Sequence, residues 1–321
     1  GMFLGFGIKV PMFPFHTWLP DAHTEAPTVG SVILAAVLLK LGTYGFVRIA
    51  IPLLPDAAVE WAPWIGLLAV IGIIYGAFCC LAQTDMKRLI AFSSVAHMGF
   101  VMLGISTLTD FGINAAIMGM VAHGLITGML FFLAGSMKER YHTLEIKRLG
   151  GLLVQAPKMG WILGFCAMAS LGLPGLAGFW GEFPAILSAY NPANGLPVET
   201  FRTFMVIAAL GTVLAAGYLL WLLQRSAFGT PKEEFAEDPN IYDTTKTEWI
   251  AWAPLLASIL AIGIYPNLVF RATDAAVDAS LTPCLTIDAD KSTHEEIESA
   301  HCSEVYGLSD HGPDDHTASK G

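Results

Sequence analysis

The chain has 321 residues, 54% of them apolar and only 14% Asp, Glu, Lys or Arg, about half the charge of a soluble globular chain. With a mean hydropathy of +0.58, so few charges cannot cover the surface of soluble domains of this total length, which leaves an integral membrane protein. The formal net charge of −10 is mostly local: residues 272–321 hold eleven Asp or Glu against Lys291 and Lys320, and the body before them is close to neutral.

In chain order, Gly1 to Val10 form an apolar run that ends at Pro11 and is too short to span a bilayer. No basic residue precedes it and no small-residue cleavage site follows, so it does not read as a signal peptide. A chain that opens with Gly inside a helix-like run is expected to lack its natural N-terminus. Spans of about 20 apolar residues are then predicted at about 29–54, 62–82, 88–106, 110–136, 159–190, 199–225 and 248–270. The fold class expected is all-α and polytopic, with a transmembrane domain over 1–271 and an acidic tail over 272–321.

Two of the apolar stretches are interrupted. Pro11 and Pro14 follow Lys9 closely, and the segment from Leu171 to Glu182 packs Gly172, Pro174, Gly175 and Gly178 into seven residues. Such a sequence cannot keep an unbroken helical hydrogen-bond ladder. Broken backbone at membrane depth survives only inside protein or beside a water-filled cavity, and paired breaks point to a transport site.

The basic residues set the orientation. Lys87, Arg88, Lys138, Arg140, Lys147, Arg148, Lys158, Arg225, Lys232 and Lys246 fall on one side of the alternating spans. Arg48, Arg202, Arg271 and the two tail lysines fall on the other. The first side is therefore expected to be cytoplasmic and the tail periplasmic. Trp18, Trp61, Trp64, Trp161, Trp221 and Trp249 lie near predicted span ends, where interfacial aromatics belong.

Five ionisable residues remain within or beside the spans: Lys9, Lys40, His97, His123 and Glu182. At 1.5 Å per residue Lys40 lies about 16 Å into its span, His97 about 14 Å and His123 about 20 Å, all near the middle of a hydrocarbon core about 30 Å thick. Lys9 and Glu182 adjoin the breaks. Snorkelling does not explain Lys40, because its stem spans only about 6 Å. A neutral helix–helix hydrogen bond is the competing role for either His, and capping of a half-helix the competing role for Glu182. A charge at the bilayer centre is costly and functional by default. The set suits proton transfer through intervening water and offers no oxygen cage for a metal ion.

Other chemistry has little support. Cys79, Cys80 and Cys166 sit in apolar runs as small hydrophobes. No C-x-x-C, P-loop or dinucleotide fingerprint is present, so no iron–sulfur cluster, flavin or nicotinamide is expected on this chain. In the tail, Cys284 and Cys302 are allowed to form a disulfide outside the cytoplasm. The spacing of these two with His294, His301, His311 and His316 is too irregular for a metal set, and the tail composition reads as disordered.

The stretch Lys9-Val10-Pro11, then Pro14-Phe15-His16-Thr17-Trp18-Leu19-Pro20-Asp21-Ala22-His23, running into Ala26-Pro27-Thr28 and Leu38-Leu39-Lys40, closely resembles the antiporter-like subunits of respiratory complex I. The run from Asp85 through His97 to Gly99 and the triplet Ala122-His123-Gly124 resemble them too. Gly181-Glu182-Phe183 is characteristic of the subunit M type, where the two sister subunits usually carry Lys. The likeness extends to about residue 270. It implies an antiporter-like helix bundle with two inverted repeats and two discontinuous helices. It also implies a proton relay in which Lys9 is the central-helix lysine, Lys40 the connecting lysine, His97 and His123 the polar axis and Glu182 the terminal exchange residue. NADH, FMN, Fe-S clusters and quinone would belong to partner subunits of the complex. Expected partners are those membrane subunits, above all the sister antiporter-like ones, together with lipids and protons, and no nucleic acid. The expected location is the cell inner (plasma) membrane. The family's first helices, with the glutamate that pairs with the central lysine, are absent from this chain. A subunit of a multisubunit Na+/H+ antiporter is the alternative within the same fold, and a non-pumping structural subunit the alternative outside transport.

Overall fold

The computed structural model describes residues 1–236 and 238–281. The tail beyond residue 281, with Cys284, Cys302 and its four histidines, lies outside the described residues.

Among the described residues, twelve helices besides the 3-10 turn Glu233–Phe235 can be named in chain order: α1 (Met2–Lys9), α2 (Trp18–Glu25), α3 (Thr28–Leu53), α4 (Pro55–Leu81), α5 (Met86–Ser106), α6 (Asp110–Tyr141), α7 (Leu152–Gln155), α8 (Pro157–Ser170), α9 (Ala177–Ser188), α10 (Val198–Ser226), α11 (Lys246–Ile264) and α12 (Asn267–Leu281). Six of them, α3, α4, α5, α6, α10 and α11, are long and apolar enough to cross a membrane. Three of the six, α5, α6 and α11, start on side-chain caps. Asp85 accepts from the Arg88 amide at 3.0 Å, Thr109 from the Gly112 amide at 3.0 Å, and Thr245 and Glu248 form a reciprocal capping box.

Both interruptions are breaks. α1 stops at the Val10–Pro11 step, and α2 begins only at Trp18. The stretch expected as one interrupted span over 159–190 is two half-helices, α8 and α9. Gly172 and Gly175, at φ of +77° and +92°, turn the chain between them, a backbone region that glycine enters without a Cβ penalty.

The seventh predicted span differs at its far end. It stops at Ile264, and α12 then runs through the boundary expected at residue 271. Pro266 has no amide hydrogen to continue the ladder. Arg271, Asp274 and Asp278, read as the start of the tail, are exposed on a helix whose Val277 is fully buried. Thr273 Oγ1 donates to Asn114 Oδ1 on α6 at 2.9 Å.

The layering follows from burial. The hydrophobic window of α5 is 94% buried inside the bundle and that of α6 78%, against 22% for α11. The two central helices carry His97 and His123, and the others surround them. Two basic residues counted as cytoplasmic loop charges are in fact buried. Lys87 Nζ donates to the Ala26 carbonyl at 2.6 Å, closing the end of α2. Arg140, 1% exposed, is clamped by Glu248 with N···O distances of 3.0 and 2.8 Å and lies over the Tyr242 ring. Each still lies at the end of its helix, so the sidedness argument is unaffected.

Candidate functional site

The site is built where glycines let backbones touch. A Cβ on Gly124 would lie 2.8 Å from the Ala36 carbonyl oxygen, so α3 and α6 meet beside His123. A Cβ on Gly181 would lie 2.4 Å from Gly119 Cα, so α9 presses on α6 one residue before Glu182. Inside α3, the turn over Leu34–Leu38 is a π-helix, a feature found often at functional positions. The Ala35 carbonyl within this turn accepts from Lys40 Nζ.

Four of the five predicted residues come together. Lys40 Nζ donates to His123 Nδ1 at 2.7 Å. The His123 and His97 rings are 5.7 Å apart between centroids and tilted by 60°. His97 Nδ1 lies 2.6 Å from Glu182 Oε1. The order along the line is Lys40, His123, His97, Glu182, contributed by α3, α6, α5 and α9. Both rings are almost fully buried and the Glu182 side chain is 13% exposed.

Between the two histidines the hydrogen-bonded line is interrupted by a cavity of about 20 Å³, lined by His97, His123, Thr127, Ser170, Gly178 and Glu182. That volume holds one water, and the lining supplies polar partners for it. Donation from Lys40 makes His123 Nδ1 an acceptor and assigns the ring proton to Nε2. His123 Nε2 is buried and has no hydrogen-bond partner among the described residues.

Lys9 is not part of this line. It closes α1 and is half-buried, with no hydrogen-bond or ion-pair partner among the described residues. Its helix is nevertheless held against α3: a Cβ on Gly42, two residues past Lys40, would lie 2.7 Å from Val10 Cγ2 and 2.8 Å from the Phe6 carbonyl oxygen.

Two polar side chains that join this cluster escaped the sequence reading. Ser170 Oγ and Tyr218 OH each lie 3.1 Å from His97 Nε2, and both are buried. Each is a neutral polar residue in an apolar run, as are Ser94 and Thr127, and nothing in its sequence neighbourhood singles it out. His16 and His23, noted above only within a motif, are buried, and neither ring nitrogen of His23 has a hydrogen-bond partner among the described residues. His23 stacks on Phe131 at 4.4 Å.

This geometry, two broken helices around a buried line of Lys, His and Glu, defines an antiporter-like helix bundle. The sequence profile of the family described as NADH:quinone oxidoreductase/Mrp antiporter, transmembrane, matches residues 1–214, and the chain belongs to that family. Among curated relatives, NADH-quinone oxidoreductase subunit M of Rhodobacter capsulatus is 45% identical over 267 residues, covering 83% of this chain and 50% of the relative. NAD(P)H-quinone oxidoreductase chain 4 3 of Trichormus variabilis is 44% identical over 275 residues, covering 85% and 51%. A chain of respiratory complex I from Thermus thermophilus with bound NADH superimposes with a TM-score of 0.78 at 33% identity, covering 87% of this chain and 57% of that one. A chain of the Mrp complex from Dietzia sp. shares the fold, with a TM-score of 0.75 at 19% identity over 89% and 59%. The chain spans about half the length of the curated relatives it matches.

Proposed function

We propose that this chain is part of a membrane-arm subunit of a proton-translocating NADH–quinone oxidoreductase, and that protons cross it through Lys40, His123, His97 and Glu182. Lys9 is the relay's further lysine, on the far side of the α1–α3 contact. The observation that carries the reading is the convergence of four ionisable side chains from four helices into one buried line. Buried ionisable groups without this role would each need a separate structural reason to offset the cost of desolvation.

No redox step is assigned to this chain. NADH, FMN, Fe-S clusters and quinone belong, in this reading, to partner subunits, whose reaction drives the relay by conformational or electrostatic change. A proton leaving Lys40 removes a positive charge beside His123, and a proton reaching Glu182 removes a negative charge beside His97. Each transfer thereby alters the proton affinity of the next group. The sister antiporter-like subunits are the proposed neighbours, the cell inner membrane the location, and the periplasmic side that of the tail.

The test is made in the full-length subunit within its assembled complex. Lys40→Met and Glu182→Gln should lower the number of protons moved per electron while the complex still assembles and binds NADH. Unchanged stoichiometry in both variants would overturn the proposal. Sodium-dependent proton exchange in vesicles without NADH would instead favour the Na+/H+ antiporter alternative.

A further inference from the structure

The buried line from Lys40 to Glu182 has one gap, between His123 and His97, and the chemistry on its two sides is unequal. His97 presents Nδ1 to Glu182 and Nε2 to two hydroxyls, Ser170 and Tyr218, each at 3.1 Å. Of these two, Ser170 borders the cavity that His123 also lines. Ser170 is the last residue of α8, directly before the break. We infer that the Ser170 hydroxyl carries the proton across this gap, taking it from a water in the cavity and passing its own to His97 Nε2. Tyr218 is a positioning residue that steadies the ring. The inference rests on the proposed relay and adds a conducting group to it.

The proton count closes without any oxidant or reductant. Lys40 gives one proton to His123 Nδ1, and His123 gives its Nε2 proton to the cavity water. The water gives one to Ser170 Oγ as Ser170 gives its own to His97 Nε2. His97 then gives its Nδ1 proton to the Glu182 carboxylate. One proton has left Lys40 and one has reached Glu182, with water and Ser170 restored. Both rings have exchanged tautomers, and each regains its starting one by releasing the Nδ1 proton to water and taking one at Nε2, with no net proton gained or lost, once Glu182 has lost its proton on the far side. A hydroxyl suits this position because it can donate to a bare ring nitrogen and accept from a protonated one. Nε2 of His97 is therefore partnered in every state. No direct ring-to-ring hydrogen bond competes with this path among the described residues: His123 Nε2 has no partner, and both His97 nitrogens are taken by Glu182, Ser170 and Tyr218.

The experiment uses the assembled complex in liposomes, with NADH-driven proton uptake and quinone reduction measured together. Ser170→Ala should slow proton uptake on the order of tenfold to hundredfold, the scale expected for losing a positioned proton-transfer group. Ser170→Thr, which keeps the hydroxyl, should recover most of that loss. Tyr218→Phe should fall by a smaller factor than Ser170→Ala. Wild-type uptake in Ser170→Ala, or a reversed order between Ser170→Ala and Tyr218→Phe, would overturn the assignment. So would a Thr variant that assembles fully yet pumps no better than Ala. Glu182→Gln, run in parallel, separates the two levels of claim. If it pumps normally, the relay itself fails; if it is dead while Ser170→Ala is unaffected, only the Ser170 step fails.

Discussion

Replacing Gly181 by Ala tests whether a backbone contact, and not merely the presence of Glu182, sets the relay. The new Cβ would lie 2.4 Å from Gly119 Cα and 2.8 Å from the Gly119 amide nitrogen. Both are backbone atoms of a buried helix, so no side-chain rotation relieves the clash. Restoring an ordinary carbon–carbon contact of about 3.6 Å requires α9 to back away from α6 by about 1.2 Å. Glu182 is the next residue, and its Oε1 is now 2.6 Å from His97 Nδ1. A displacement of that size takes the pair to about 3.8 Å, beyond hydrogen-bond range. Misplacement by about 1 Å can cost on the order of a hundredfold in rate, whereas overpacking of this kind destabilises by about 1–3 kcal/mol. The expected result is therefore an assembled complex with a slight loss of thermal stability and a large loss of NADH-driven proton uptake in liposomes. Gly119→Ala is the control: its nearest contacts are one side-chain methyl of Val101 at 2.9 Å and Gly181 Cα only at 3.5 Å, so α9 need hardly move and the effect should be several-fold smaller. If Gly181→Ala assembles and pumps as well as wild type, the claim that the α6–α9 contact sets the His97–Glu182 distance is wrong.

Two other substitutions separate architecture from chemistry. Arg140→Ala leaves Glu248 facing a buried site without its bidentate partner, and breaking such a pair costs about 3–5 kcal/mol. Arg140 also binds the Tyr242 carbonyl at 2.8 Å and the Ser136 carbonyl at 3.0 Å, so the loss is expected as reduced assembled complex on native gels. Gly172→Ala puts a Cβ at φ +77°, which costs about 1–2 kcal/mol. It also places that Cβ 3.1 Å from Glu182 Oε2, so the fold should survive with a small drop in melting temperature while proton uptake falls.

Much of the architecture was legible from the residues alone, because the bilayer imposes strong rules. A run such as Ile65 to Leu81 must be helical in hydrocarbon, where backbone groups find no water. The cluster Gly172, Pro174, Gly175 and Gly178 must break a helix wherever it lies. Charge near the centre of such runs is rare enough that Lys40, His97, His123 and Glu182 could be singled out by depth. Legibility fell where rules are local and weak. The end of the seventh span was misplaced because Tyr265 and Pro266 interrupt a stretch whose average hydropathy still reads as continuous. Lys87 and Arg140 look like loop charges, and only their partners, the Ala26 carbonyl and Glu248, reveal that they are buried.

The low charge fraction and its distribution by depth thus determined the class of protein and nominated the groups that matter, since each residue's cost in lipid is set by its own chemistry. Which of those groups touch was decided by the tertiary structure. Lys40 and His123 are 83 residues apart, His97 and Glu182 85, and His97 and Tyr218 121. Such pairs meet only where Gly124 and Gly181 let helices approach to backbone contact. Lys9, nominated with the others by sequence, stands outside the line, and Ser170, unremarked by sequence, hydrogen-bonds to His97 within it. Distance and orientation control proton transfer, and they are properties of packing that no single segment of the chain contains.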